Sequence, residues 1–162
     1  MKLKHLNFYI QQVQELSKLS TCSRNRFGAL IIDSVHNCII MNGYNGTGRG
    51  GASLCGGDSC LRDTMNIKSG HNLAIGCNHA EANAIANCSR IGVSTLDKWI
   101  IVNGEPCLAC AKLIHQAGLS KVLYIENGYS SKTGIEYLKS YQVSLESISM
   151  NKSVSINTGS LK

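Results

Sequence analysis

The 162-residue chain holds one proline, one tryptophan and two phenylalanines, and aromatic residues make up only 6% of it. So few and so scattered, they offer no stacking platform for a run of bases, which argues against a protein that tracks single-stranded nucleic acid. Dense Lys/Arg runs are missing too. The net charge of +6 is dispersed, which suits a small anionic ligand such as a phosphate better than a polynucleotide. No uninterrupted apolar stretch approaches the roughly 20 residues that a membrane helix needs. Nor does the start of the chain carry the apolar core of a signal peptide, because Asn7, Gln11, Gln12 and Gln14 soon follow Lys2 and Lys4. A cytoplasmic protein without a membrane partner is expected. No repeat or linker divides the chain, so residues 1–150 read as one domain and the polar residues 151–162 as a mobile tail.

Cysteine and glycine are plentiful. Eight cysteines in a chain with no export signal are expected to be thiols or metal ligands rather than disulfides. Cys38, in the apolar run Cys38-Ile39-Ile40-Met41, and Cys88, in a helical stretch, read as core fillers. The other six lie beside turns, glycines or helix starts, where side chains can converge. Leu6, Ile10, Val13, Leu16 and Leu19 recur at helical spacing. Phe27 to Asp33 and Cys38 to Tyr44 are short β-branched runs joined by a polar turn, the pattern of a hairpin. Glycines then break every period from Gly43 to about Gly76, a loop-rich insertion of a length that is usually functional or tied down. Beyond it, helices are expected at His79 to Arg90, Pro106 to Ala117 and Thr133 to Tyr141. Strands are expected at Lys98 to Val102, Val122 to Ile125 and Val143 to Ile148. That alternation predicts a three-layer α/β fold with a mixed sheet.

Two helix starts carry chemistry: His79-Ala80-Glu81, and Pro106-Cys107-Leu108-Ala109-Cys110. Pro106 suits a first helical position, where its missing N–H costs nothing. Cys107 and Cys110 then lie one turn apart on one face, at the positive end of the helix dipole, which favours the thiolates that zinc binds. With His79 they make one nitrogen and two sulfurs, leaving a fourth tetrahedral position for water, which is the catalytic rather than the structural pattern. Glu81 leaves the helix on another side and can reach that water instead of the metal. Cys-x-x-Cys alone fits a redox pair equally well, and His-Ala-Glu alone says little. A zinc-stabilised binding module would use four protein ligands and would not need Glu81. The ordered combination is far more specific than its parts.

His-x-Glu followed by Pro-Cys-x-x-Cys is the zinc deaminase signature, in which the Glu is general acid/base and not a ligand. The chain resembles the cytidine deaminase superfamily, and within it the deoxycytidylate (dCMP) deaminases. Thr21-Cys22-Ser23-Arg24, Phe27-Gly28-Ala29, Gly43-Tyr44-Asn45-Gly46 and the Cys- and His-bearing insertion carry that resemblance, over roughly Ser20 to Tyr129. It implies a cytidine deaminase-like fold, a five-stranded mixed sheet flanked by helices, and a homo-oligomer, often a hexamer. It also implies hydrolysis of dCMP to dUMP and ammonia, supplying deoxyuridylate for thymidylate synthesis, with dCTP as activator, Mg2+ alongside it, and dTTP as inhibitor. By position, Asn45 is expected at the sugar, Arg24 or Arg26 at the phosphate with Tyr129 nearby, and the Ala80 and Glu105 backbones at the amino group. Gly48 stands where the family usually has proline. Glu105-Pro106-Cys107 is similar to tRNA adenosine and guanine deaminases, which makes those bases the runner-up; dCTP and modified cytosine nucleotides are further alternatives. Some phage members carry a second, structural zinc, and that resemblance implies Cys22, Cys55 (or Cys60), His71 and Cys77 as its ligands. Such a metal would give a glycine-rich insertion the folding energy that it cannot draw from a core.

Overall fold

A computed structural model describes residues 1–50, 59–68, 71, 75–126 and 129–149. The expected hairpin forms as β1 (Gly28–Asp33) and β2 (Cys38–Tyr44), preceded by the helix α1 (Leu3–Ser17). After the insertion come α3 (Ala80–Ile91), β3 (Trp99–Val102), α4 (Leu108–Gln116), β4 (Lys121–Glu126), α5 (Lys132–Ser140) and β5 (Ser144–Ser149). Among its described residues the insertion contains one short helix, α2 (Leu61–Thr64), that hydrophobic periodicity did not signal.

The strands make one five-stranded sheet in the order β2-β1-β3-β4-β5. β1 pairs antiparallel with both β2 and β3, whereas β3–β4 and β4–β5 are parallel, so the sheet is mixed. Alternation along β1 sorts the core. Ala29 and Ile31 face one layer with Ala84, Cys88, Ala111, Ile114 and Leu138 from α3, α4 and α5. Leu30 and Ile32 face the other with Tyr9 and Val13 of α1. Every residue of β1 is buried, as a central strand covered on both faces must be. This is the three-layer α/β arrangement expected.

Two local readings are corrected. Cys38 is exposed rather than a core filler, because β2 is the edge strand and its first residues meet solvent. Leu19, taken as part of the apolar stripe, lies past the end of α1 and is exposed. Cys88 is wholly buried, as expected. Residues 151–162, the expected tail, lie outside the described residues.

One close approach fixes where the site sits. A Cβ on Gly43 would fall 2.4 Å from both the Ala80 carbonyl oxygen and the Ala84 nitrogen. Only glycine lets the end of β2 lie directly against the first turn of α3.

Candidate active site

His79 caps α3 from the extended region (φ −78°, ψ 155°), and Cys107 caps α4 in the same way (φ −68°, ψ 165°). Pro106 therefore precedes the cap instead of occupying the first helical position. The consequence drawn from it stands, because Cys107 and Cys110 still bracket the first turn of α4. The two helix starts converge. His79 Nδ1 lies 3.4 Å from Cys107 Sγ and 3.4 Å from Cys110 Sγ, and the three ligand atoms all lie within 4.8 Å of one another. Zn–N and Zn–S bonds of about 2.0 and 2.3 Å at a tetrahedral angle put N and S roughly 3.5 Å apart. The set therefore fits a zinc ion without rearrangement. Among the described residues it is the only such group of three.

The protonation states agree with a metal-ready site. The hydrogen bond from Cys110, aided by His79 and the Cys110 backbone N–H, lowers the Cys107 thiol to about 4. Cys110 is pushed up by the same bond and by burial. Contact with Cys107 raises His79. A divalent cation bound here would favour both thiolates. Beside them Glu81 is 5% exposed, and burial raises its pKa above the ordinary carboxyl range. Burial of a carboxyl in a cleft is one way in which active sites tune a group for proton transfer.

Cys107, His79 and Glu81 open into a cleft of about 690 Å3, counting the part open to solvent, with Cys22, Arg24, Asn25, Phe27 and Asn45 on one wall. Arg62, Ile75, Cys77, Glu105 and Tyr129 complete the lining. Tyr129 is half-buried and meets Phe27 edge to face with centroids 5.5 Å apart.

Several expected contact residues are found at work on the protein itself. Asn45, buried in the wall, accepts from the Phe27 N–H at 2.8 Å and donates to the Asn25 carbonyl at 2.9 Å. It holds the loop ahead of β1. Arg24 donates to Asp63 and, at 2.8 Å, to the Ile67 carbonyl, while its Nη1 is buried and makes no hydrogen bond among the described residues. Arg26 is exposed and does not line the cleft. Ala80 is wholly buried as the first residue of α3, its side chain in the core.

Of the four residues expected around a second metal, Cys22 and Cys77 meet in the cleft wall. Their hydrogen bond, with the Asn25 and Arg24 backbone N–H groups, lowers Cys22 to about 5. His71 is exposed and joins no three-ligand group among the described residues. Cys55 lies outside the described residues, and its alternative Cys60 is buried. Arg62 was not anticipated. Nearly buried, it donates to the Ile75, Lys68 and His71 carbonyls at 2.8, 2.9 and 2.6 Å and ties the insertion together. These three partners are main-chain oxygens, which no residue pattern marks.

A mixed sheet carrying one nitrogen and two sulfurs at paired helix starts, with a buried carboxyl alongside, defines a zinc-dependent deaminase. Residues 3–126 match the family model described as the cytidine and deoxycytidylate deaminase zinc-binding region, and the chain belongs to that family. ComE operon protein 2 of Bacillus subtilis is 31% identical over 147 residues, covering 91% of this chain and 72% of that protein. The deoxycytidylate deaminase of Schizosaccharomyces pombe is 31% identical over 119 residues, 73% of this chain but 36% of the yeast protein. The chain thus spans about a third of that relative's length. A crystal structure of the dCMP deaminase from the cyanophage S-TIM5, in complex with dCMP and dUMP, has a TM-score of 0.75 and 26% identity. It covers 91% of this chain and 99% of that one.

Proposed function

We propose that this protein hydrolyses dCMP to dUMP and ammonia. The observation that carries the reading is the convergence of His79, Cys107 and Cys110 with buried Glu81 at the floor of one cleft. The similarity to deoxycytidylate deaminases supports the choice of base and sugar. His79, Cys107 and Cys110 hold the zinc, which when bound makes a water acidic enough to ionise near neutral pH. Glu81 takes a proton from the attacking water and delivers it to ring N3 as the water's oxygen bonds to C4. It then carries the proton of the new C4 hydroxyl to the amine, which leaves as ammonia when the C4–N bond breaks. One carboxyl serves as base and then acid because its burial keeps the proton local. The Phe27–Tyr129 pair offers an apolar wall for the ring. Arg24, on the cleft wall, brings a guanidinium toward the place of a 5′-phosphate.

Zinc-loaded protein incubated separately with dCMP, dCTP, deoxycytidine and a tRNA should release ammonia fastest from dCMP. Equal efficiency on deoxycytidine would remove the phosphate from the reading, and release from tRNA alone would replace it with an RNA deaminase.

A structural zinc completes the proposal, with Cys22 and Cys77 as two ligands and Cys55 (or Cys60) and His71 as the others. The support is the lowered Cys22 thiol beside Cys77. Metal analysis should find close to two zinc ions per chain, and one after Cys22→Ala. A fully active preparation with a single zinc would refute it. For regulation, a second cleft between β2 and α3, lined by Asn42, Tyr44, Arg49, Asn78, Asn87 and Arg90, offers two guanidiniums to a triphosphate. This supports a triphosphate effector; that dCTP, with Mg2+, activates and dTTP inhibits is what the family resemblance implies. Exposed Ile91, Leu96 and Leu113, on and just after α3 and on α4, support a homo-oligomer, a hexamer by family resemblance. No helix among the described residues is long and apolar enough to cross a membrane, and free thiols at seven described cysteines suit the cytoplasm.

A further inference from the structure

Glu105 lines the cleft, yet neither the metal ligands nor the proton relay uses its side chain. Its Oε2 accepts a short hydrogen bond from the Ser131 backbone N–H, 26 residues along the chain. Ser131 caps α5, so the carboxylate meets an otherwise unpaired donor at the positive end of that helix. A second contact presses the same helix start onto the same segment: a Cβ on Gly134 would fall 2.0 Å from the Pro106 carbonyl oxygen. Tyr129, two residues before Ser131, turns its ring onto Phe27 in the cleft wall. The chain from Tyr129 to Gly134 is therefore docked on Glu105 and Pro106, immediately ahead of Cys107.

We propose that Glu105 is a positioning residue that sets substrate affinity: it pins Ser131, and through it Tyr129, so that the Tyr129–Phe27 pair stands as a fixed wall for the nucleotide ring. The inference rests on the nucleotide reading above. It explains how a side chain ahead of Cys107 acts on binding without touching the proton chemistry. An oxygen acceptor at this position is what the pin needs, since the Ser131 N–H requires a partner and not a charge. Glu105→Gln retains an acceptor at the same reach, whereas Glu105→Ala leaves the N–H unmet.

Two measurements test it. In the zinc-loaded protein without substrate, hydrogen exchange at the Ser131 amide should be faster in Glu105→Ala and near wild type in Glu105→Gln. In steady-state turnover of dCMP, Glu105→Ala should raise KM by up to about tenfold, the order expected for losing one hydrogen bond, with kcat and zinc content unchanged. Glu105→Gln should restore the KM. Adding Glu105→Ala to Tyr129→Ala should raise KM no further than Tyr129→Ala alone, since the effect passes through Tyr129. Unchanged Ser131 exchange in Glu105→Ala overturns the pin whatever the substrate. So do a wild-type KM in Glu105→Ala, a Glu105→Gln variant as impaired as Glu105→Ala, and additive effects in the double variant. Wild-type protein that leaves dCMP untouched would instead fail the substrate reading, and the exchange measurement would still decide the pin.

Discussion

Glu81 and Asp33 are both carboxyls nearly withdrawn from water, and their surroundings drive them in opposite directions. Burial raises Glu81, whereas Asp33 is held well below the ordinary carboxylate range by Lys98, at 2.7 Å, and by His36. The first is placed to carry a proton, the second to stay charged. Glu81→Gln keeps the shape and leaves the zinc ligands untouched, but it cannot transfer a proton. Turnover should fall by about 10²–10⁴ or more with zinc still bound, measured as product formed per metal-loaded chain. Near-normal turnover would sink the mechanism. For Asp33 the sign follows from its lowered pKa. Its stabilisation is fully present above about pH 4, the unfolded carboxyl value, and is lost as pH falls toward the folded value. Asp33→Asn should therefore melt below wild type at neutral pH, with the gap in Tm narrowing under acid. A gap that widens on acidification would show that the ion pair is not the source.

At the scale of elements, the periodic parts of the fold were legible and the tertiary ones were not. β1 and β2 start and stop within a residue or so of where their β-branched runs do, because strand period and turn chemistry are local. The starts of α3 and α4 were legible from the spacing of their chemical residues, although the cap of α4, Cys107, falls two residues later than a first helical position for Pro106 suggests. The insertion hid its organisation. α2 is one turn long, and Arg62 holds its surroundings through carbonyl oxygens that any residue supplies. The resemblance placed Arg24 at the phosphate, but nothing local marks its ion pair with Asp63, 39 residues away. Contact between elements also yields a test. Gly43→Ala would drive a methyl into the first turn of α3 and should cost about 1–3 kcal/mol, the usual range for overpacking. Thermal unfolding should show it together with weaker zinc retention, since His79 caps that turn. A variant as stable as wild type would mean that β2 and α3 are not packed as described.

For the whole molecule, the order β2-β1-β3-β4-β5 matters because it stacks α3, α4 and α5 on one face of the sheet, where the starts of α3 and α4 share a cleft. Neither helix start is a site alone. His79 comes from one, Cys107 and Cys110 from the other, and the Glu105–Ser131 contact adds the start of α5. The chemistry is thus a property of the assembled fold, and it should fail as a unit when the metal leaves. The most direct test is to strip the protein with a chelator, follow dCMP by its absorbance with and without added zinc, and quantify dUMP and ammonia. The account predicts no conversion by the stripped protein. On zinc addition it predicts equal amounts of dUMP and ammonia in the wild type and none above background in Cys107→Ala. Conversion of dCMP by metal-free protein, or by Cys107→Ala at the wild-type rate, would contradict it.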